Sequence, residues 1–462
     1  MVTTMIKGIS SARARLERMY RSIGREFNIV DACDRYANLV RANGNGSHPV
    51  QRWFHLKEAF SIDLLENLMA DWHIRPESLR RVLDPFCGIG TTLLACERLA
   101  RRNNLSKLDV VGIERNPFLH FAAQTKLSWH TYDEMRFRSL AEELLKSEDN
   151  AGAVGVPPLS TLWRRDVYDR RVLKRLVRLR ERITSLNHGW PEKAPLLLGF
   201  ASILESVSGV RKDGRALRIV PGKKRARMSM AIRGAWAAVG SDLGEAAEIF
   251  KRVRVRVSLG DGRTLITAGR RISSRGQFDL IVYSPPYLNN IDYSEVYKIE
   301  LWLCEFVQTS EEFRTLRHST FRSHPSVRFR SPITFLKDAR MSSIGVMLGT
   351  LIEALPNDHN RAWRADLFSS YFDDMYVSLV NQYEVLRPGG WVFCVVGNSM
   401  HGPAKQPEQR VPVASDLMIA MIARKLGFEV KAVQIARQLH RRIPSNGYMR
   451  ESILALRKPS KR

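Results

Sequence analysis

Short apolar runs that close on acidic or glycine-rich turns recur in two blocks of the chain, and a long stretch of helical spacing separates them. In the first block Val82-Leu83 closes at Asp84, and a Gly-rich turn leads into the helical stretch Thr91–Arg101. Val110-Val111-Gly112-Ile113 then closes at Glu114. The pattern resumes after residue 250. Val253-Arg254-Val255-Arg256-Val257 closes near Asp261, and Leu280-Ile281-Val282-Tyr283 runs directly into a Pro-Pro turn. Apolar runs bounded by turn residues and alternating with helical patterns predict buried strands of a parallel sheet. Further on, Tyr371–Leu386 reads as helix, Pro388-Gly389-Gly390 as a tight turn and Trp391–Val396 as another buried strand. Phe428–Ile435 and Ser452–Leu456 suit a closing strand pair. Between the blocks, Val172, Leu176, Leu179 and Ile183 recur at helical spacing amid arginines.

The expected fold is therefore α/β, one doubly wound sheet with insertions rather than several independent domains. The divisions are an N-terminal extension (1–50), a first half of the core (51–130), a helical and basic insert (131–250) and a second half of the core (251–307). A second, irregular basic insert (308–365) and the C-terminal part of the core (366–462) follow.

Composition narrows the partners. Lysine and arginine number 73 against 47 acidic residues, a net charge of +26, which implies an acidic partner, nucleic acid foremost. No apolar run is long enough to span a bilayer, and Lys7, Arg13 and Arg15 interrupt any secretory signal, so no membrane association is expected. The five cysteines are scattered without CxxC pairing, which argues against a zinc site or a disulfide framework and fits a reducing cytoplasm.

The chemistry concentrates in two turns. Asp84-Pro85-Phe86-Cys87-Gly88-Ile89-Gly90-Thr91-Thr92 follows a strand and opens a helix. Gly88 and Gly90 allow a sharp turn and close approach of a ligand, and the helix behind them presents free N–H groups. Glu114, ending the next strand, suits the two hydroxyls of a ribose. Asp261, ending the one after, suits an adenine amine. Either carboxylate alone is an ordinary solvated loop residue; at successive strand ends they make a nucleoside site. The turn lacks GxGxxG, with Leu93 at the last Gly position, and no Lys follows the glycines as in a Walker A loop, so a phosphate-free nucleoside cofactor fits best. The second turn is Ser284-Pro285-Pro286-Tyr287. Its two prolines fix φ and donate no N–H, leaving the Ser284 and Pro285 carbonyls as free acceptors beside the Tyr287 ring. Acceptors next to an aromatic face suit a flat, amine-bearing ligand such as a nucleobase.

DPFCGIGTT with IERNP resembles the cofactor motifs of S-adenosylmethionine-dependent methyltransferases, and SPPY, extended as SPPYLNNIDY, resembles the catalytic motif of the amino-methylating DNA methyltransferases. His48-Pro49-Val50-Gln51-Arg52-Trp53-Phe54-His55 resembles the segment with which such enzymes close over the methionine end of the cofactor. The resemblance spans roughly 50–130 and 250–460. It implies a Rossmann-like class I methyltransferase sheet, S-adenosyl-L-methionine as cofactor and DNA as substrate. It also implies cofactor contacts from Phe54, Asp84, Phe86, Gly88, Gly90, Thr91, Glu114 and Asp261, and catalysis by Ser284, Pro285, Pro286 and Tyr287. In this reading the Ser284 hydroxyl and Pro285 carbonyl accept from the target amine, and Tyr287 stacks on a base extruded from the duplex. Cytosine-C5 methylation is disfavoured because no Pro-Cys dipeptide occurs. Ser at the head of the motif tilts the target to cytosine N4 over adenine N6, although the cofactor-first order departs from the commonest cytosine-N4 arrangement.

Two acid-poor basic stretches are candidates for phosphate contact: Arg211, Lys212, Lys223, Lys224 and Arg225, and Arg322, Arg328 and Arg330. Arg450-Glu451-Ser452 and Gly397-Asn398-Ser399 resemble recurrent segments with a structural role in the last strands. The competing functions are an RNA methyltransferase of the tRNA guanine-N2 type and a non-catalytic nucleic-acid-binding protein on this fold. No motif of the chain encodes the recognition sequence, a restriction or defence partner or the oligomeric state.

Overall fold

The computed structural model describes residues 2–146, 155–212, 216–267, 270–272, 277–288, 291–327, 332–403, 406, 409–439 and 447–460. Seven strands form the middle of a ten-stranded sheet: β1 (Arg81–Asp84), β2 (Asp109–Glu114), β3 (Arg254–Asp261), β4 (Phe278–Tyr283), β5 (Leu386–Gly397), β6 (Glu429–Gln438) and β7 (Arg450–Arg457). Their spatial order is β3-β2-β1-β4-β5-β7-β6. All run parallel except β7, which is antiparallel to both β5 and β6. This is the expected Rossmann-like class I methyltransferase sheet, and the anticipated closing pair is β6 with β7.

The sheet is covered on both faces, which explains why its strands read as unbroken apolar runs rather than alternating ones. Val82, Val110, Leu280 and Val282 point into one core, while Leu83, Val111, Ile281 and Tyr283 point into the other. Each fully buried aliphatic contributes about 1.5–3 kcal/mol of transfer free energy. Helix α1 (Thr91–Arg102) follows β1, and α2 (Pro117–Leu127) follows β2, capped by the Asn116 side chain, which accepts from the N–H groups of Phe118 and Leu119.

The first insert is helical as expected: α3 (Glu134–Lys146), α4 (Arg170–Ser185), α5 (Lys193–Ile203) and α6 (Met228–Ile249). In α4, Leu176, Leu179 and Ile183 are buried, as their spacing predicts, whereas Val172 is only half-buried. A small hairpin, Val210–Lys212 with Leu217–Ile219, interrupts the helices.

Three expectations change. The second insert is not irregular, because it contains α7 (Ser310–Ser319) and α8 (Ser342–Glu353). Ile344, Met347, Leu348 and Leu351 of α8 are buried, so α8 builds core, whereas α7 buries none of its residues. The N-terminal extension also joins the sheet, since Ile29–Asp31 pairs in parallel with β6 at the edge. Finally, Pro388-Gly389-Gly390 is a bulge inside β5, with a register shift between Leu386 and Trp391 and Gly389 at φ 75°, rather than a turn ahead of it.

The chain leaves β1 toward β2 on one side, while β4 and β5 build outward on the other. The switch point lies between β1 and β4, which pair at Val82↔Leu280 and Leu83↔Ile281. Crevices outside the carboxyl ends of such a pair are where open α/β sheets bind ligands.

Candidate active site

Both candidate turns open at that switch point. Asp84 ends β1 and Ser284 directly follows β4, so adjacent parallel strands carry the two turns to the same, carboxyl, end of the sheet. A cavity there is lined by Asp84, Phe86, Gly88, Thr91, Glu114 and Asp261, together with Ser284 and Pro286. Six residues assigned to the cofactor and two assigned to catalysis thus share one space.

The turn is built for close approach. Gly88 lies at φ 52°, and a Cβ there would meet Leu56 at 3.1 Å. Gly90 takes φ 84° as the residue that opens α1. Asp84 holds the turn from inside: its carboxylate accepts from the Phe86 N–H at 3.0 Å and the Thr92 hydroxyl at 2.5 Å. Glu114 accepts from the Gly88 N–H at 2.9 Å and the Asn116 N–H at 2.7 Å. Burial raises both carboxyls, each to about 7, against the lowering effect of these hydrogen bonds. A glycine cradle flanked by two carboxylates fits a ribose with no phosphate attached.

Asp261 lines the cavity, but Arg263 occupies its carboxylate through contacts of 2.8–3.1 Å from Nε and Nη2. Arg263 also reaches Asp374 and the Ser319 carbonyl, so it ties β3 to α7 and to the helix Arg361–Val385. Phe54 sits behind the wall. It is buried against Phe118 and Tyr297, and Leu56, Glu58, Ala59 and Phe60 line the cavity in its place.

The segment carrying Phe54 is held from three sides. Thr91 accepts from the Gln51 amide at 2.8 Å, and the buried Lys126 side-chain nitrogen donates to the Gln51 and Phe54 carbonyls, both at 2.9 Å. Asp242 of α6 accepts from the Val50 N–H at 2.8 Å and Trp53 Nε1 at 2.9 Å, and it pairs with Arg52. Val50 stands at φ 63°, a conformation that a β-branched residue adopts only under such constraint.

A second cavity adjoins the first, lined by Ser284, Tyr287, Ile291, Gly397, Arg437 and Glu451, with Arg41, His55 and Lys57 also on its wall. Glu58, Ala59, Ser284 and Tyr293 belong to both cavities. Tyr287 packs its ring on Gly397, where a Cβ would approach the ring to 2.8 Å. Pro285 is buried and on neither wall. Asn289 and Asn290 of the motif lie outside the described residues.

The basic stretches divide. Arg211 and Lys224 are exposed, and Arg225 is exposed while donating to the Arg165 and Asp166 carbonyls. Lys223 is half-buried, bonded to the Glu205 and Val210 carbonyls. Two assignments are corrected. Lys212 is buried, paired with Glu300 and set over the Tyr297 ring at 4.6 Å, and Arg322 is buried between Asp373 and Asp374. Neither reaches a phosphate, since stripping its partners would leave uncompensated buried charge. Arg328 and Arg330 lie outside the described residues.

Sequence reasoning missed Glu58, Tyr293, Asp242 and the functional placement of Glu451. Glu451 had a signal. Alternation along β7 sends Arg450 and Ser452 to Asp416 and turns Glu451 to the opposite face. Glu58 and Asp242 belong to no local pattern.

No family model matches the chain. It is 24% identical to the Type II methyltransferase M.AvaI of Anabaena variabilis over 478 residues, 94% of this chain and 89% of the relative. It is 23% identical to the Type II methyltransferase M.BsoBI of Geobacillus stearothermophilus, over 90% of this chain and 85% of the relative. Among solved structures, TrmN from Thermus thermophilus overlaps 86% of this chain and 49% of its own at 10% identity and a TM-score of 0.27. The rRNA methyltransferase aviRa from Streptomyces viridochromogenes overlaps 88% and 89% at 11% identity and the same score. Overlaps that loose add nothing to the strand order. The near full-length relatives do bear out the methyltransferase resemblance read from the motifs, and with it S-adenosyl-L-methionine as cofactor.

Proposed function

We propose that this chain methylates an exocyclic amine of a DNA base, cytosine N4 first among them. The observation that carries the reading is the shared wall. Ser284 faces the cofactor cavity on one side and the Tyr287 cavity on the other, so a donor and an acceptor bound in the two spaces meet at its hydroxyl. S-adenosyl-L-methionine supplies, when bound, a methyl group on a sulfonium centre that an amine lone pair can attack.

The residues act by position and charge. Gly88, Asp84 and Glu114 cradle the nucleoside end. Leu56, Glu58 and Ala59 close over the other end, and Glu58, which lines both cavities, would take the proton that the nitrogen releases as it is methylated. An aryl amine is a weak nucleophile because its lone pair is delocalised into the ring. Acceptance of an N–H by the Ser284 hydroxyl, the acceptor of the turn that lines both cavities, favours a tetrahedral nitrogen and frees that pair. The hairpin bearing Arg211 sits beside the second cavity, joined to it through Lys57, whose ammonium donates to the Lys212 carbonyl at 2.8 Å. The exposed Arg211, Lys224 and Arg41 would meet DNA phosphates around an extruded base.

The deciding experiment is methylation of unmethylated duplex DNA with labelled cofactor, followed by nucleoside mass spectrometry. N4-methylcytosine is the expected product. N6-methyladenine would move the target atom within the same chemistry. Methylation of tRNA alone, or 5-methylcytosine alone, would overturn the reading.

Cofactor affinity is expected to depend on pH. The Glu114 carboxyl, raised to about 7, must be ionised to accept from both ribose hydroxyls. Affinity is therefore full above about pH 8 and falls as pH drops through 7, by up to roughly tenfold per unit for one group. Calorimetry across this range, with Glu114→Gln beside the wild type, checks it. The variant flattens the profile, and any slope that remains reports Asp84. A wild-type affinity independent of pH would remove Glu114 from the ribose.

A further inference from the structure

We infer that Glu451 and Arg437 are positioning residues that fix the direction of a hydroxyl chain and thereby make Ser284 a hydrogen-bond acceptor toward the target base. The inference rests on the proposed amine methylation and names what prepares the site for an amine.

The chain starts at a group with no proton to give. Arg437 holds Glu451 through Nη2 at 2.8 Å and Nε at 3.0 Å, both to Oε2. Oε1 is left to Tyr287, whose hydroxyl lies 2.8 Å away. A carboxylate paired with a guanidinium only accepts, so the Tyr287 proton must point at Glu451. Burial and the neighbouring Glu451 charge push the Tyr287 phenol further from ionising, so it keeps that proton. The phenolic oxygen can then only accept from its other neighbour, the Ser284 hydroxyl at 2.9 Å. With its single proton committed to Tyr287, Ser284 turns its lone pairs to the cavity. A side chain able to donate or accept becomes, in this setting, an acceptor alone.

Two features keep the chain in register. The Tyr287 ring rests on Gly397, where any side chain would displace it. β5 and β7 pair at Gly397↔Glu451, so the residue that supports the ring and the residue that orients its hydroxyl sit side by side. The consequence is selectivity between functional groups. A base presenting an amine is met by an acceptor, while one presenting a carbonyl at the same place meets a second acceptor and is repelled.

Glu451→Gln tests this, because the amide has the same shape but can donate to Tyr287 and reverse the chain. With cofactor Kd unchanged and KM for DNA within about threefold, kcat is expected to fall about 10- to 100-fold, the worth of one charge-supported hydrogen bond. In a Tyr287→Phe background, where the chain is already cut, the same substitution should add less than about threefold. A duplex carrying a carbonyl in place of the target amine should bind Glu451→Gln better than wild type. A Glu451→Gln enzyme with kcat within threefold of wild type, or full additivity with Tyr287→Phe, overturns the inference while the methylation reading stands. A wild-type chain that methylates no amine overturns both.

Discussion

Ser284→Ala is expected to lower kcat for methyl transfer by roughly 10²- to 10³-fold while leaving cofactor Kd within about twofold, the range seen when one preorganised hydrogen-bonding group is removed from a reacting centre. The asymmetry follows from where the residue stands. Ser284 is on the wall of the cofactor cavity, but the groups that cradle the nucleoside are Asp84, Gly88 and Glu114, none of which bonds to it. Its own hydrogen bond runs the other way, to Tyr287. Alanine removes the acceptor next to the amine and releases the Tyr287 hydroxyl from its second partner, without opening a core void. Single-turnover transfer from labelled cofactor gives the chemical step, and calorimetry gives the binding term. A variant that loses cofactor affinity in parallel with turnover would place Ser284 in the cofactor site and remove it from the amine. Ser284→Thr is a useful companion. It keeps both the proton that Tyr287 accepts and the lone pairs that face the amine, so it should recover more activity than Ser284→Asp, whose carboxylate has no proton to give the Tyr287 oxygen.

The sheet and the two turns were legible because each is local. Val82-Leu83-Asp84 and Leu280 to Tyr283 are buried on both faces, so hydrophobicity alone marks them, and the turns that follow carry residues few other contexts require. The cavity that joins Asp84 to Ser284 depends on the neighbouring of β1 and β4, and the motif resemblance, rather than any periodicity, brought the two together. What stayed hidden is what acts across sequence distance. Lys212 and Arg322 read as surface charge because their neighbours in the chain are basic. Their acidic partners, Glu300 and the Asp373-Asp374 pair, lie far along the chain. Asp261 read as a free acceptor, yet the arginine two residues on folds back to take it. Alternation placed Glu451 on the opposite face from Arg450 and Ser452, but only the fold supplied Tyr287 as its neighbour. The helical insert was legible as helix and not as a clamp.

That clamp gives the second large effect. Asp242→Ala is expected to destabilise the chain by about 3 kcal/mol and to weaken cofactor binding well beyond any effect on an unrelated surface of the insert. Asp242 is fully buried on α6, far in sequence from the segment it serves, and its two oxygens satisfy the Val50 N–H, Trp53 Nε1 and Arg52. Removing the carboxylate leaves two buried N–H donors unpaired, at about 1–3 kcal/mol each. The half-exposed Arg52 loses less, because solvent takes over. Relief of Val50 from φ 63° offsets part of this, since the strained residue is free to relax once its N–H is released. Relaxation is what harms function. The residues that follow, Leu56 to Phe60, form one wall of the cofactor cavity, and Thr91 of the cofactor turn is bonded to Gln51 in the same segment. The measurement is a pair of thermal melts, with and without saturating S-adenosyl-L-methionine. The wild type should gain stability on addition as RT ln(1 + [L]/Kd), and the variant should start lower and gain less. Asp242→Asn keeps one acceptor and should lie between them. If Asp242→Ala melts early but gains as much from the cofactor as wild type, Asp242 stabilises the insert alone, and the 48–60 segment keeps its place by the Lys126 and Gln51 contacts without it.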